Sequence, residues 1–173
     1  MISDFFLALL LALIQGLTEF LPVSSSAHLL FPSLLFGAKD FGIVFDISVH
    51  AGTLAAVIYY FKKELLELVR AWTPWAQSRN KENFSLGLNL IVATLPIVLV
   101  GLIASDFAES RSTNINSIAW ANLVFAGLLY AAFKSSRQSK SLAELTLFAA
   151  LIIGCFQAFA IFPGASRSGM AIT

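Results

Sequence analysis

The sequence is poor in charge and in cysteine. Charged residues make up 12 % of its 173 residues and the formal net charge is +1, whereas soluble globular domains carry roughly 25 % charged residues. No basic field indicates nucleic acid as a partner, and no run of like charges indicates a disordered tail. The single cysteine, Cys155, has no second cysteine in the chain. A disulfide within the chain is therefore excluded, and no nucleic-acid partner is expected.

The sequence is rich in apolar residues. They make up 58 % of the chain, and the mean hydropathy is +0.82. Hydrophobic segments, each near the ~20 residues that span a bilayer, cover residues 5–21, 43–61, 86–104, 118–133 and 142–162. They lack strand alternation, and backbone groups in lipid must pair within the protein, so all are expected to be helical. The sequence predicts an all-α, polytopic membrane helix bundle, a single domain over residues 1–173.

The links between these segments differ in their basic residues. Lys and Arg are concentrated in residues 62–84 and 134–140, whereas residues 105–117 contain only Arg111. The positive-inside rule therefore predicts that the first two links are cytoplasmic and that the link of residues 105–117 is external.

A polar cluster follows the first hydrophobic segment. Residues 15–28 read Gln-Gly-Leu-Thr-Glu-Phe-Leu-Pro-Val-Ser-Ser-Ser-Ala-His. Gln15 and Glu19 share a helix face, Pro22 ends that helix, and the serines are typical of the start of the next one. Polar groups are costly in hydrocarbon, so the cluster indicates a functional site. Its candidate nucleophiles are the three serines, and its candidate acids, bases or orienting groups are Glu19 and His28.

A second cluster ends the chain and resembles the first. Gln157, Phe162 and Pro163 correspond to Gln15, Phe20 and Pro22 with one residue of slip, and each set precedes a serine cluster. We interpret this as a degenerate internal repeat, with a first unit of about residues 1–104 and an incomplete second unit of about residues 118–173. Chance similarity of two apolar stretches is the alternative. Two motif-bearing re-entrant or broken helices, related as inverted repeats, would bring the clusters together inside the bilayer.

The second cluster suits an anion. Pro-Gly-Ala-Ser-Arg-Ser-Gly is a turn that leads into a helix, so its N–H groups and the helix dipole would converge on one point. Arg167 adds a planar fork that fits phosphate oxygens. A structural ion pair between Arg167 and Glu19 is the competing explanation. The further candidate donors are Gly164, Ser166, Ser168 and Thr173.

The second hydrophobic segment carries two polar residues on one face, Asp46 and His50, four positions apart. They are either a hydrogen-bonded pair between helices or a supporting group for the site.

Both clusters resemble the signatures of a known family. Gly-Leu-Thr-Glu-Phe-Leu-Pro-Val-Ser-Ser-Ser-Ala-His is similar to the first signature of the undecaprenyl-diphosphate phosphatases of the BacA type, and Phe-Pro-Gly-Ala-Ser-Arg-Ser-Gly to the second. Gln15 and Glu19 match the family pattern Glu/Gln-x-x-x-Glu. The resemblance implies hydrolysis of undecaprenyl diphosphate to undecaprenyl phosphate, which recycles the lipid carrier for peptidoglycan synthesis and gives bacitracin resistance.

The resemblance also implies roles for individual residues. The implied catalytic residues are Glu19, Ser25, His28 and Arg167, with the nucleophile left open between Ser25, His28 and water. The implied substrate-binding residues are Gln15, Ser24, Ser26, Gly164, Ser166, Ser168 and Thr173. A divalent cation, Mg²⁺ or Ca²⁺, is expected, with Glu19 as its candidate ligand. The implied setting is the bacterial plasma membrane, crossed several times, with membrane lipids as partners and a homodimer as a further expectation.

Other interpretations remain at this point. A secondary transporter or lipid flippase would use Glu19, Asp46 and His50 as a proton relay and Arg167 as a substrate clamp around a midplane anion site. A non-catalytic assembly subunit is a third class. Family members continue past the second signature, so the sequence is expected to be C-terminally truncated, with the segment after Pro163 the least constrained. Glu19 and Arg167 are expected to be paired neighbours.

Overall fold

The protein is all-α in a computed structural model that describes residues 2–73, 80–104, 115–135, 144–162 and 164–172. The described residues contain no strand, which confirms the predicted class. Pro163, Thr173 and much of the links at 105–117 and 134–140 lie outside the described residues. The helices are α1 (Ile2–Thr18), α2 (Ser25–Phe36), α3 (Ile43–Tyr60), α4 (Lys62–Ala71), α5 (Lys81–Ile103), α6 (Ile115–Ser135), α7 (Leu147–Ala158) and α8 (Arg167–Ile172).

Three of these helices, α3, α5 and α6, are long and apolar enough to cross a membrane by length and composition. The expected span over residues 142–162 is wrong as a single helix, because α7 has 12 residues and continues only as a 3₁₀ turn, Phe159–Ile161. Twelve residues rise roughly 18 Å, well short of the ~30 Å hydrocarbon core. The helical path is therefore broken near both polar clusters, whereas the re-entrant, inverted arrangement stays a prediction.

The surface is apolar, as expected of a membrane protein. Large side chains such as Phe5, Leu17, Ile103 and Phe133 are more than half exposed, and α3 contains no buried residue. A water-soluble chain rarely exposes contiguous apolar surface on this scale. Exposed apolar surface on this scale is typical of a membrane protein.

Helices α1 and α2 form a hairpin whose tip carries the first polar cluster. Its open end is joined by an ion pair of 2.7 Å between Lys39 and Asp4. Gly37 ends α2 with φ 63°, and its N–H donates to the Ser33 carbonyl, a left-handed cap that favours glycine. α3 packs against α1 and so brings its polar face toward the hairpin.

Helices α5 and α7 make the most extensive helix contact in the described structure. Asn89 of α5 is 2 % exposed, and its Nδ2 donates to the Leu145 carbonyl over 2.8 Å. Gly154 of α7 lies against the backbone of Ala93 in α5. Small residues at such crossings let membrane helices approach closely. α7 in turn packs against α8 and holds the second cluster in place.

Gly154→Ala is expected to destabilise the protein by about 3 kcal/mol, because the added Cβ would lie 2.5 Å from the Ala93 carbonyl oxygen and the backbone there cannot yield without separating the helices. Thermal unfolding in detergent measures the effect. Gly127→Ala on α6 is the matched control, since a Cβ there has no neighbour within 4 Å and should be neutral or stabilising. Equal melting temperatures for the two variants would contradict the close contact.

Helix α4 was not predicted. Residues 62–71 were interpreted as part of a link, although Leu65, Leu66 and Val69 have helical spacing and would have indicated an amphipathic helix. Beyond its end, the Trp72 ring packs at 5.0 Å from that of Phe84, where α5 begins.

Candidate functional site

Glu19 is the centre of the first cluster. Its Oε2 accepts hydrogen bonds from Gln15 Nε2 at 2.8 Å and from Ser25 Oγ at 2.7 Å. The first bond follows from the four-residue helical spacing, and the second from the turn that Pro22 allows between α1 and α2. His50 Nε2 of α3 lies 3.5 Å from the same oxygen. A carboxylate that accepts a hydrogen bond from a serine hydroxyl has the geometry of a general base beside its nucleophile.

The two clusters meet at one small pocket of about 100 Å³. Both ends of the chain contribute to it, although they are far apart in sequence. Its polar lining residues are Glu19, Ser25, Ser26, His50, Ser166 and Arg167, and its apolar ones are Val23, Ala160 and Ala165. The structure therefore brings together the carboxylate, the serine and the arginine that the sequence placed in one site.

Arg167 and Glu19 share this pocket but are not ion-paired. Among the described residues, the basic side chain in contact with Glu19 is His50, at 3.5 Å, and Arg167, the first residue of α8, is exposed. The expected direct pairing is therefore wrong. The carboxylate accepts from Gln15 and Ser25 instead, and among the described residues no salt bridge engages the Arg167 guanidinium.

The second cluster is more tightly built than expected. Gly164, Ala165 and Ser166 are buried, and Met170 is 2 % exposed. Gly164 has φ 106°, and a Cβ there would lie 2.8 Å from the Ile118 carbonyl oxygen of α6, so only glycine fits. The expectation that the segment after Pro163 is the least constrained is wrong for the buried residues 164–166, 169 and 170.

Backbone N–H groups of this cluster were expected to bind an anion, and several are used internally. Gly164 N–H donates to Ser24 Oγ at 3.1 Å, and Ala165 N–H donates to the Phe162 carbonyl at 3.0 Å. Gly169 N–H donates to Ser166 Oγ at 3.1 Å. Ser168 Oγ donates to the Leu21 carbonyl at 2.7 Å. These bonds hold the cluster together, so Arg167 is its main donor to the pocket.

His28 lies on the opposite side of the first cluster. It lines a larger cavity of about 840 Å³, with residues of α6 and α8, and does not line the small pocket. Its Nδ1 contacts the Ser24 carbonyl at 2.7 Å. A carbonyl only accepts, so this nitrogen carries the proton. The structure therefore does not bring His28 to Glu19.

His50 occupies the position at Glu19 that was expected of His28. Its Nδ1 donates in the same way to the Asp46 carbonyl at 2.7 Å, which turns Nε2 toward the carboxylate. The four-residue spacing of Asp46 and His50 was the available sequence signal, but it did not show which histidine the helix packing selects.

The small pocket provides only part of the ligand set that the expected divalent cation needs. Among the described residues, no three His, Cys, Asp or Glu side chains are grouped closely enough to hold a metal. Glu19 is the carboxylate that lines the small pocket, whereas Mg²⁺ and Ca²⁺ prefer six or more oxygen ligands. The residues of the pocket therefore do not fit a cation cage built from protein ligands alone.

The fold and pocket together define a class, a helical membrane protein in which two serine-bearing segments and an arginine line one small polar pocket. The family model described as "Bacitracin resistance protein BacA" matches residues 8–173. The chain belongs to this BacA family.

Curated relatives agree with this assignment. The chain is 48 % identical over 170 residues to a protein named undecaprenyl-diphosphatase from Saccharophagus degradans, covering 98 % of this chain and 64 % of the relative. It is 46 % identical over 171 residues to a protein of the same name from Alcanivorax borkumensis, with 98 % and 64 % covered. For the one from Teredinibacter turnerae, the identity is 44 % over 171 residues, with 98 % and 65 % covered. The chain thus spans a little less than two thirds of their length.

Proposed function

We propose that this chain hydrolyses undecaprenyl diphosphate to undecaprenyl phosphate and inorganic phosphate. The observation that carries the proposal is the 2.7 Å hydrogen bond from Ser25 Oγ to Glu19 Oε2 in a pocket that Arg167 also lines. It combines a nucleophile, its base and a phosphate-binding guanidinium. The relatives, named undecaprenyl-diphosphatase, support the choice of substrate.

The chemistry follows from this geometry. Ser25 Oγ attacks the terminal phosphorus while its proton passes to Glu19. The bond from that phosphorus to the bridging oxygen breaks, and its electron pair leaves with undecaprenyl phosphate. Water then attacks the phosphoserine, inorganic phosphate leaves, and Glu19 returns its proton to Ser25 Oγ. Arg167 binds the terminal phosphate oxygens, since positioning and charge stabilisation dominate phosphoryl transfer.

A groove next to the pocket suits a lipid substrate. It has a volume of about 720 Å³ and shares Glu19, His50 and Arg167 with the pocket. The rest of its lining combines the apolar residues Phe20, Ile47, Ala51, Leu54, Val57 and Ala171 with the polar residues Asp46, Thr53, Gln157 and Ser168. A lipid whose headgroup is bound at Arg167 could therefore extend its first isoprene units along the apolar side chains of α3.

The cellular setting belongs to the same proposal. The substrate is a membrane lipid, so a multi-pass position in the bacterial plasma membrane fits the three apolar helices. The product would re-enter peptidoglycan synthesis, and the activity would protect against bacitracin by consuming the lipid that bacitracin sequesters. Self-association into a homodimer stays a prediction.

Phosphate release by the purified 173-residue chain in detergent tests the function. A transporter or flippase needs two compartments, whereas a hydrolase does not, so release of inorganic phosphate from undecaprenyl diphosphate is expected without any gradient. The matched control is Glu19→Gln, which keeps the shape and removes the base. Release equal to that of the Glu19→Gln variant would contradict the proposal, whether or not the chain moves lipid in vesicles.

His50→Ala is expected to lower kcat by roughly 10²-fold, because the imidazole beside Glu19 is lost. His28→Ala, the matched histidine substitution, should cost less than about tenfold, since His28 faces the other cavity. Steady-state kinetics of both variants in the same assay decide between them. An inactive His28→Ala variant beside a normal His50→Ala variant would reverse the assignment.

A further inference from the structure

Two serines connect the polar loops to each other. We define the first loop as residues 19–24 and the second loop as residues 164–166. Ser24 Oγ of the first loop accepts from Gly164 N–H of the second at 3.1 Å. Ser168, in the first turn of α8, donates its hydroxyl to the Leu21 carbonyl of the first loop at 2.7 Å. Each side thus contributes a side chain that bonds to the backbone of the other.

The hydroxyl of Ser24 is fully used by these bonds. Its oxygen accepts from Ala27 N–H at 3.3 Å and from Gly164 N–H, which occupies both lone pairs. Its own proton must therefore go to Ser26 Oγ, 3.1 Å away. Ser24 is 2 % exposed, so water does not replace these partners. The proton of Ser26 has no acceptor in the described part of the chain and remains available to the pocket that Ser26 lines.

The hydroxyl protons of Ser166 and Ser168 also have partners within the protein. The Leu21 carbonyl only accepts, so the proton of Ser168 is committed to it. In the 3.0 Å contact between Ser166 Oγ and Ser168 Oγ, Ser166 must then be the donor. Ser166 Oγ also accepts from Gly169 N–H. Neither hydroxyl can donate to a phosphate while the loops stay connected.

The two serine triplets have the same architecture. Ser24 caps α2 and contacts Ser26, and Ser166 bonds to an N–H of α8 and contacts Ser168. The middle residue of each triplet, Ser25 or Arg167, lines the small pocket. Of the outer serines, Ser26 and Ser166 also line this pocket, whereas Ser24 and Ser168 do not.

We propose that Ser24 and Ser168 are positioning residues that lock the two loops together, leaving Ser25, Ser26 and Arg167 to meet the phosphate. This replaces the substrate-binding role that the family resemblance implied for Ser24 and Ser168. The lock itself is a property of the chain, whereas its effect on turnover rests on the proposed function.

Disulfide trapping tests the lock without any substrate. Pro22 Cβ lies 3.8 Å from the position of a Cβ added to Gly169, within the range of about 3.5–4.5 Å for a disulfide. The 173-residue chain would carry Pro22→Cys and Gly169→Cys, with the single native cysteine, which is exposed, replaced by Cys155→Ala. The disulfide is expected to form under mild oxidation and to be followed by gel shift.

Ser24→Ala or Ser168→Ala in this background is expected to lower the crosslinking rate about fivefold, the effect of losing one ordinary hydrogen bond. Ser24→Ala should have the larger effect, because it leaves two buried N–H groups without an acceptor. Ser168→Thr keeps the hydroxyl and should crosslink at the parental rate. Ser33→Ala is the matched control, since the Ser33 hydroxyl bonds to the Leu30 carbonyl within α2.

The outcomes separate the lock from the proposed function. Slower crosslinking with Ser168→Ala, restored by Ser168→Thr, supports the lock even if Ser24→Ala fails to fold. In the native-cysteine chain, the same variants should then lower kcat more than they raise KM. Unchanged crosslinking in both alanine variants overturns the lock, and a raised KM beside it would return the serines to substrate binding. A lock without any phosphate release would contradict only the proposed function.

Discussion

Ser25→Ala is expected to reduce phosphate release by about 10³-fold or more. Ser25 is the first residue of α2, its hydroxyl donates to Glu19 Oε2 at 2.7 Å, and it lines the pocket with Arg167. Without the hydroxyl, the base has no nucleophile to activate, and only direct attack by water remains. The measurement is kcat with undecaprenyl diphosphate in detergent, with substrate affinity determined separately. Affinity should change little, because the removed group forms its new bond only during the reaction.

The control for this variant is Ser48→Ala on α3. The Ser48 hydroxyl bonds to the Val44 carbonyl of its own helix at 2.7 Å and lines neither the pocket nor the groove beside it. Its activity should match that of the parent. If Ser25→Ala retained more than about a tenth of the parental turnover, direct attack by water would replace the serine mechanism.

Arg167→Lys is expected to lower kcat by roughly 10²-fold or more while leaving the fold intact. Lysine keeps the positive charge but loses the planar, two-pronged donor that binds phosphate oxygens. Arg167 is exposed at the start of α8 and forms no ion pair with Glu19, so the substitution breaks no bond between these two residues. Turnover and the melting temperature should be measured together, with the loss confined to turnover.

The matched control is Arg70→Lys in the last turn of α4, a residue that lines neither the pocket nor its groove. It should be neutral in both measurements. Near-normal turnover of Arg167→Lys would contradict a two-pronged phosphate contact by Arg167. Its positive charge would then be its only contribution.

The local parts of the site could be predicted from the sequence. The spacing of Gln15 and Glu19 predicted a shared helix face, and their side chains are hydrogen-bonded. Pro22 and the serines predicted a helix end followed by a helix start, and the structure has both. These features depend on neighbouring residues and on backbone chemistry, which a sequence displays directly.

The parts that failed depend on packing between distant segments. His28 and His50 each follow a polar residue by helical spacing, and only the packing of α3 against α1 decides which imidazole reaches Glu19. The direction of a serine hydroxyl is equally invisible in a sequence. Ser24 was expected to bind substrate, but its oxygen accepts from Ala27 N–H and from Gly164 N–H, 140 positions away. Both lone pairs of the hydroxyl are therefore in use. Periodicity predicts faces of helices, and tertiary contacts decide their neighbours.

The most direct test of one site built from both loops is an experimental structure of the chain with a non-hydrolysable bisphosphonate analogue of the lipid diphosphate. We expect the terminal phosphonate in the pocket, within hydrogen-bonding distance of both Ser25 Oγ and the Arg167 guanidinium, with the lipid chain in the groove along α3. A headgroup bound in the cavity beside His28, out of reach of Glu19 and Arg167, would contradict it.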